Sequence, residues 1–196
     1  MKFLFPRRIL LLLTGTMFVF LLQGCASRYT VQPTPRYASI QGEFNRHSRV
    51  VRAGKERIFR MLTHGELFGA LCPKGTIVTF LTPGPYGVGT LIHTRIEHLF
   101  HLEWHSRVEE VVPEERIRLR FLDGFFAGGV EIWELEPAGD GTRVTQTIIV
   151  EPRGLLRKAA WLLKVRNRHD VMVEKFLDRL KEYAENPLLH TRVDAP

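Results

Sequence analysis

The chain has 196 residues, 44% of them hydrophobic and 25% charged, with 28 Lys and Arg against 21 Asp and Glu for a formal net charge of +7. That length and apolar content suit one domain around a single core. The basic surplus is mild and spread along the chain rather than gathered in a stripe, which excludes nucleic acid as a partner.

Lys2, Arg7 and Arg8 precede an apolar run from Ile9 to Leu22 that only Thr14, Gly15 and Thr16 interrupt, and small Gly24 stands just before Cys25. The order is a charged n-region, an apolar h-region and a small-residue cleavage site. The run is short for a membrane span, which needs about 20 apolar residues. With Leu22 and Gly24 at lipobox positions, the stretch resembles a bacterial lipoprotein signal. The resemblance implies that residues 1–24 are removed and that Cys25 is diacylated, an attachment firmer than one acyl chain provides. It also implies a lipid-anchored protein of the cell envelope, and with no Asp beside Cys25, the periplasmic face of the outer membrane in a Gram-negative cell. The signal takes three basic residues and no acidic one with it, leaving 25 against 21. Cys72 is then the sole free cysteine, so no intramolecular disulfide is available, and it reads as a small buried hydrophobe.

Residues 25–40 read as the lipidated N-terminus and a flexible tether, stiffened by Pro33 and Pro35 and solvated by Ser27, Thr30, Gln32 and Thr34. The folded domain is expected over residues 41–185, with a fraying tail over 186–196. Periodicity predicts a first strand over 43–51, then two short helices over 55–62 and 66–71, punctuated by Gly54 and Gly65. Six further strands are predicted over 76–81, 88–96, 100–111, 116–122, 127–136 and 143–150. Turn chemistry such as Pro83-Gly84-Pro85, Asp123-Gly124 and Gly139-Asp140-Gly141 separates them. Connections this short imply antiparallel pairing, because parallel strands need long crossovers. A long helical pattern over 155–184 closes the domain.

This order, with the stretch Val51 to Leu62, the hairpin Gly84-Pro-Tyr-Gly-Val-Gly89, the strand end Val108-Glu-Glu-Val-Val-Pro113 and the run Trp133-Glu-Leu-Glu-Pro137 leading to Gly141-Thr-Arg-Val-Thr145, resembles the SRPBCC or START-like (polyketide cyclase/dehydrase) superfamily. The resemblance covers about residues 41–185. It implies an α+β helix-grip fold: a curved antiparallel sheet of about seven strands wrapped around a long C-terminal helix, with two short helices after the first strand and a deep apolar cavity beneath the helix. The matching positions are strand ends, turns and core sites, so they specify fold more than function.

Strand alternation assigns faces. In the fourth strand Phe100, Leu102, Trp104 and Val108 oppose His101, Glu103, His105, Arg107 and Glu109; in the fifth, Ile117, Leu119 and Phe121 oppose three arginines. The apolar sets, with Phe80 of the second strand, are expected to line the cavity. In the sixth strand Glu131 shares a face with Trp133, and in the seventh Gln146 shares one with Ile148. These two polar groups either join the cavity wall, as a small-molecule pocket requires, or turn to solvent and the sheet edge. In the last helix Leu155, Ala159, Leu162, Val173, Phe176, Leu180 and Ala184 form a stripe that also passes through Arg166 and His169. Either the helix breaks there, or the pair is a polar feature of the cavity, with Arg166 facing Glu131 or an acidic headgroup. Arg157, Lys158, Lys164 and Arg168 gather opposite the leucines with Trp161, as a membrane-surface contact or a solvated face.

Two motifs are set aside. The glycine-rich hairpin leads into a strand rather than a helix N-terminus, so it cannot cradle phosphate. His101-Leu-Glu-Trp-His105 could present metal ligands, but solvated charge is the expected role of an outer sheet face, and no metal or cofactor is expected. The functional expectation is a tethered domain binding a hydrophobic small molecule or lipid for carriage, sensing or sequestration, and binding alone suffices for this. An enzyme of the polyketide cyclase or dehydratase type, with Glu131 or His169 as general acid or base, is the alternative; an envelope protein-interaction module with a filled cavity is the third.

Overall fold

The computed structural model describes residue 37, residues 40–97 and residues 102–186. The expected signal, Cys25, most of the expected tether, Phe100, His101 and the tail beyond residue 186 lie outside the described residues. In chain order the elements are β1 (Glu43–Val51), α1 (Lys55–Thr63), α2 (Gly65–Leu71), β2 (Thr76–Phe80), β3 (Leu91–Ile96), β4 (Leu102–Val112), β5 (Arg116–Phe121), β6 (Val130–Ala138) and β7 (Gly141–Val150). They end with α3 (Leu155–Ala160), a π-helical turn (Trp161–Val165) and α4 (Arg166–Glu185). The strands form one antiparallel sheet in the order β1-β7-β6-β5-β4-β3-β2. Strands β2 to β7 meander, and β1 adds to β7 along its length, with Glu43 opposite Val150 and Val51 opposite Thr142. The sheet curls around the C-terminal helix, giving the helix-grip α+β architecture.

The period-2 pattern of the strands is carried into burial. In β5, Ile117, Leu119 and Phe121 are buried, while Arg116, Arg118 and Arg120 are half-buried on the other face. A bulge in β4, where Val108 pairs with Leu119 but Glu110 with Arg118, makes Glu109 the extra residue and returns Val111 to the face of Ile117. Two strands start later than periodicity predicts. β3 begins at Leu91 because Gly84 and Gly89 hold φ of +97° and +94° in the preceding loop. β6 begins at Val130 because residues 123–129 fold back over the sheet and bury Phe126 at 6% exposure. Gly124 makes that fold possible: its φ is +71°, and a Cβ there would stand 2.9 Å from Trp104 Cβ.

The interior holds two apolar clusters. One joins α1, α2 and the sheet to Val173, Phe176, Leu177 and Leu180 of α4; the other packs Trp104, Phe121 and Phe126 against Trp161 and Val165. A third lies on the outer side of the sheet, where Tyr37 covers Val130, Ile132 and Ile149 and donates its hydroxyl to Glu134 Oε1 at 2.6 Å. Packing therefore begins inside the segment read as tether.

The helical stripe runs differently from its predicted course. Chain direction is not broken at Arg166 and His169; the π turn carries the helix through. Contacts at Trp161, Val165, His169 and Val173 are four residues apart, a spacing that the wider turn keeps on one side. Leu155 and Leu162, expected inward, are 87% and 55% exposed, and Trp161 at 0% takes the inward place.

Between β1 and the helix runs a polar seam. Trp161 Nε1 donates to Glu43 Oε2 at 2.7 Å, Asn45 Nδ2 to Asp170 Oδ1 at 2.6 Å, and Arg49 Nη2 to Glu174 Oε2 at 2.6 Å. His47 Nδ1 lies 2.7 Å from Glu174 Oε1. Two strand residues advance about 6.6–6.8 Å and four helix residues about 6 Å, so a row at 45, 47 and 49 can meet a row at 170, 174 and 178. No helix among the described residues is long and apolar enough to cross a membrane.

Candidate functional site

The space between the sheet and α4 is a connected series of cavities. An outer cleft of about 490 Å³ lies between β2 to β4 and the helix, and Trp104, Phe126, His169 and Met172 pass from it into an inner chamber of about 80 Å³. Glu131, Trp133, Phe68 and Thr94 are shared in turn with a far chamber of about 30 Å³. A ligand of drug size, which needs about 300 Å³, fits the outer cleft, and the inner chambers admit only a slender apolar extension unless side chains move.

The sequence-predicted residues divide among these spaces. Trp104, Phe121, Glu131, Trp133, Gln146, Ile148 and His169 line the inner chamber. Leu102 lines the outer cleft only, and Phe80 and Leu119 the far chamber. Arg166 lines none of the three, and is half-buried beside Val165 one turn before His169. Cationic groups at the cleft are instead Lys74, Arg168, Lys175 and Arg179, with Asp178 beside them in a 2.8 Å ion pair with Arg49. Sequence reasoning missed Phe126, Met172 and Cys72. Phe126 follows a glycine turn and so looked like loop, while Met172 stands three residues after His169 on the same helix face, a signal that was available.

Glu131 is the chemical centre of the interior. β6 points it inward beside Trp133, and it is enclosed by protein, so its residual exposure is to cavity space rather than to bulk solvent. Burial raises its pKa above the ordinary carboxylate value, and the hydrogen bonds from Gln146 and Trp133 offset this only in part. Gln146 Nε2 donates to Glu131 Oε1 at 3.1 Å, and Gln146 Oε1 is buried without a hydrogen-bond partner among the described residues. Burial, with the Glu131 charge second, pushes the Cys72 thiol up to about 12 and raises the Tyr86 phenol as well. The chamber therefore favours neutral groups. A protonated Glu131 would offer one O–H donor, and Gln146 one free carbonyl, to a polar atom on an otherwise apolar ligand.

His169 sits where the chamber meets the seam. It is 7% exposed, burial lowers its pKa and favours the neutral imidazole, and its Nδ1 is 4.0 Å from Asp170 Oδ1, too far for a hydrogen bond. The ligand atoms of His47, His169 and Asp170 lie within 4.8 Å of one another, the group of described residues that could hold a cation. On the outer face, His105 Nδ1 binds Asp123 Oδ2 at 2.7 Å and its ring stacks on His93 at 4.7 Å between centroids.

Residues 45–185 match the family described as polyketide cyclase / dehydrase and lipid transport. Among solved structures, protein CV1439 from Chromobacterium violaceum is similar at 20% identity and a TM-score of 0.55, over 74% of this chain and 99% of that one. TTHA0849 from Thermus thermophilus is similar at 22% identity and a TM-score of 0.61, over 72% and 96%. These likenesses are of fold. No match to a curated protein was found.

Proposed function

We propose that this chain, which belongs to the polyketide cyclase / dehydrase and lipid transport family, binds an acidic, lipid-like amphiphile between the sheet and the C-terminal helix and carries or sequesters it at the cell envelope. One observation carries the reading: an apolar interior with Glu131 and Gln146 at its centre opens through a cleft of about 490 Å³ with four cationic side chains around it. The headgroup lies against Lys74, Arg168 and Lys175, and an apolar tail enters past Trp104 and Met172. Attachment through acylated Cys25 belongs to the same proposal and rests on the Leu22 to Cys25 pattern.

The test is native mass spectrometry, with lipid extraction, of the protein purified from its own envelope. A bound acidic amphiphile is expected, and its affinity for the Lys175→Glu variant is expected to fall about tenfold, a change of about 1.4 kcal/mol. Equal binding of neutral and acidic analogues would overturn the headgroup assignment, and absence of any apolar ligand would overturn the whole reading. Glu131 and His169 in one chamber wall also favour a second reading, a cyclase- or dehydratase-type enzyme with Glu131 as general acid. Glu131→Gln separates the two, since a carrier keeps its ligand and an enzyme loses turnover.

A further inference from the structure

The helical stretch before α4 is apolar on two opposite sides. Its inward side holds Trp161 and Val165, which are 0% and 9% exposed. The other side carries Leu155, Leu156, Leu162 and Leu163 at 87%, 88%, 55% and 80% exposure. Leu155, Leu156 and exposed Ala159 lie within an arc of roughly 100° at 100° per residue, and Leu162 and Leu163 of the π turn are exposed after them. Large apolar side chains contiguous on a surface mark a contact with something other than water.

Charge decides what that contact is. Arg153, Arg157, Lys158 and Arg168 are exposed along this stretch, and residues 152–169 contain no acidic side chain. The face itself offers only leucine and alanine, without the tyrosine, tryptophan or arginine anchors that dominate protein interfaces. A leucine face with Lys158 at its edge and a basic polar face behind it, carrying Arg157 and Arg168, is the pattern of a helix lying in the plane of an anionic membrane surface. Position agrees, because Val165 and Arg168 at the end of the same stretch line the outer cleft.

We infer that Leu155, Leu156, Leu162 and Leu163 insert into the headgroup–acyl boundary of an anionic phospholipid bilayer, with Lys158 at their edge on its phosphates and the basic polar face drawing the stretch to the anionic surface, so that the cleft opens at the lipid surface. This rests on the proposed lipid-like ligand for its purpose, but insertion is measured separately. Because an N-terminal acyl anchor would bring the whole chain to vesicles, the test reads local depth in the full chain. Leu163→Cys and, on the distant β6–β7 turn, Asp140→Cys carry an environment-sensitive fluorophore. Cys72 does not compete, since it is buried with its thiol pushed up to about 12, and the parent chain labelled without either added cysteine gives the background from Cys25.

On vesicles of phosphatidylcholine and phosphatidylglycerol, the label at 163 is expected to shift to the blue and to be quenched by brominated acyl chains, and the label at 140 to do neither. Replacing Leu155, Leu156 and Leu162 together by Ser is expected to cut the quenching at 163 about tenfold, and so is phosphatidylcholine alone. Quenching of both labels alike by aqueous iodide would overturn the inference, as would cross-linking of position 163 to a second copy, which would make the face a dimer interface. Ligand retained without insertion overturns only the docking, and insertion without a ligand overturns only the cavity reading.

Discussion

At Glu131, burial of a carboxylate sets a pH dependence. Its folded pKa is raised above the ordinary value of 4.5, so between the two values the native state binds more protons than the unfolded chain. Stability is then full below the ordinary range and is lost as pH rises through the folded value. Glu131→Gln should remove that loss while keeping a partner for Gln146. Thermal melts should show the variant more stable at neutral pH and the two proteins converging in acid; parallel curves at every pH would refute the assignment. Gly124 is the second residue-level case. Gly124→Ala forces a side chain into a left-handed conformation and against Trp104, a strain of about 1–3 kcal/mol, and should lower the denaturation midpoint and loosen Phe126.

At the scale of elements, the seam between β1 and α4 shows how burial ranks similar bonds. Asn45 is 5% exposed and holds Asp170 from inside the protein, so Asn45→Ala leaves a carboxylate short of a donor at a cost of about 1–3 kcal/mol. Arg49 makes two ion pairs, but its side chain is 30% exposed and its partners 43% and 66%, so solvent screening holds Arg49→Ala to about 1 kcal/mol or less. Chemical denaturation should therefore rank Asn45→Ala as the more damaging, and the opposite order would mean that charge, not burial, pins the helix. The seam was half legible. A row of Asn45, His47 and Arg49 at period 2, and Asp170, Glu174 and Asp178 at period 4, stand plainly in the chain, but nothing local says that one row faces the other across about 125 residues. The π turn was not legible at all, because Leu155 and Leu162 fit an ordinary α-helical stripe as well as Trp161 and Val165 fit the wider one.

For the whole molecule, the outer side of the sheet matters as much as the cavity. Tyr37 is 7% exposed over Val130, Ile132 and Ile149, so Tyr37→Ala should cost about 3 kcal/mol, in the range of large aromatic deletions. A chain beginning at Gln41 should fold but melt at a lower temperature than one beginning at Val31, and identical melting curves would show that Tyr37 contributes nothing. Tyr37→Phe keeps the ring over the sheet and should lose less, about 1 kcal/mol, the value of one hydrogen bond.

What the sequence determined by itself is the sheet, the helix and their order, since period-2 and helical spacing are local properties and short turns leave antiparallel pairing as the available solution. Alternation also put Glu131 on the face of Trp133 and Gln146 on the face of Ile148, but left open whether those two polar groups meet the cavity or solvent. Tertiary structure decided what each face meets: that Glu131 is enclosed rather than solvated, that Arg166 lines no cavity wall while Arg168 lines the outer cleft, and that a leucine face is left pointing outward. A binary pattern states which side of an element is apolar, but the partner that covers it is chosen by packing between residues far apart in the chain.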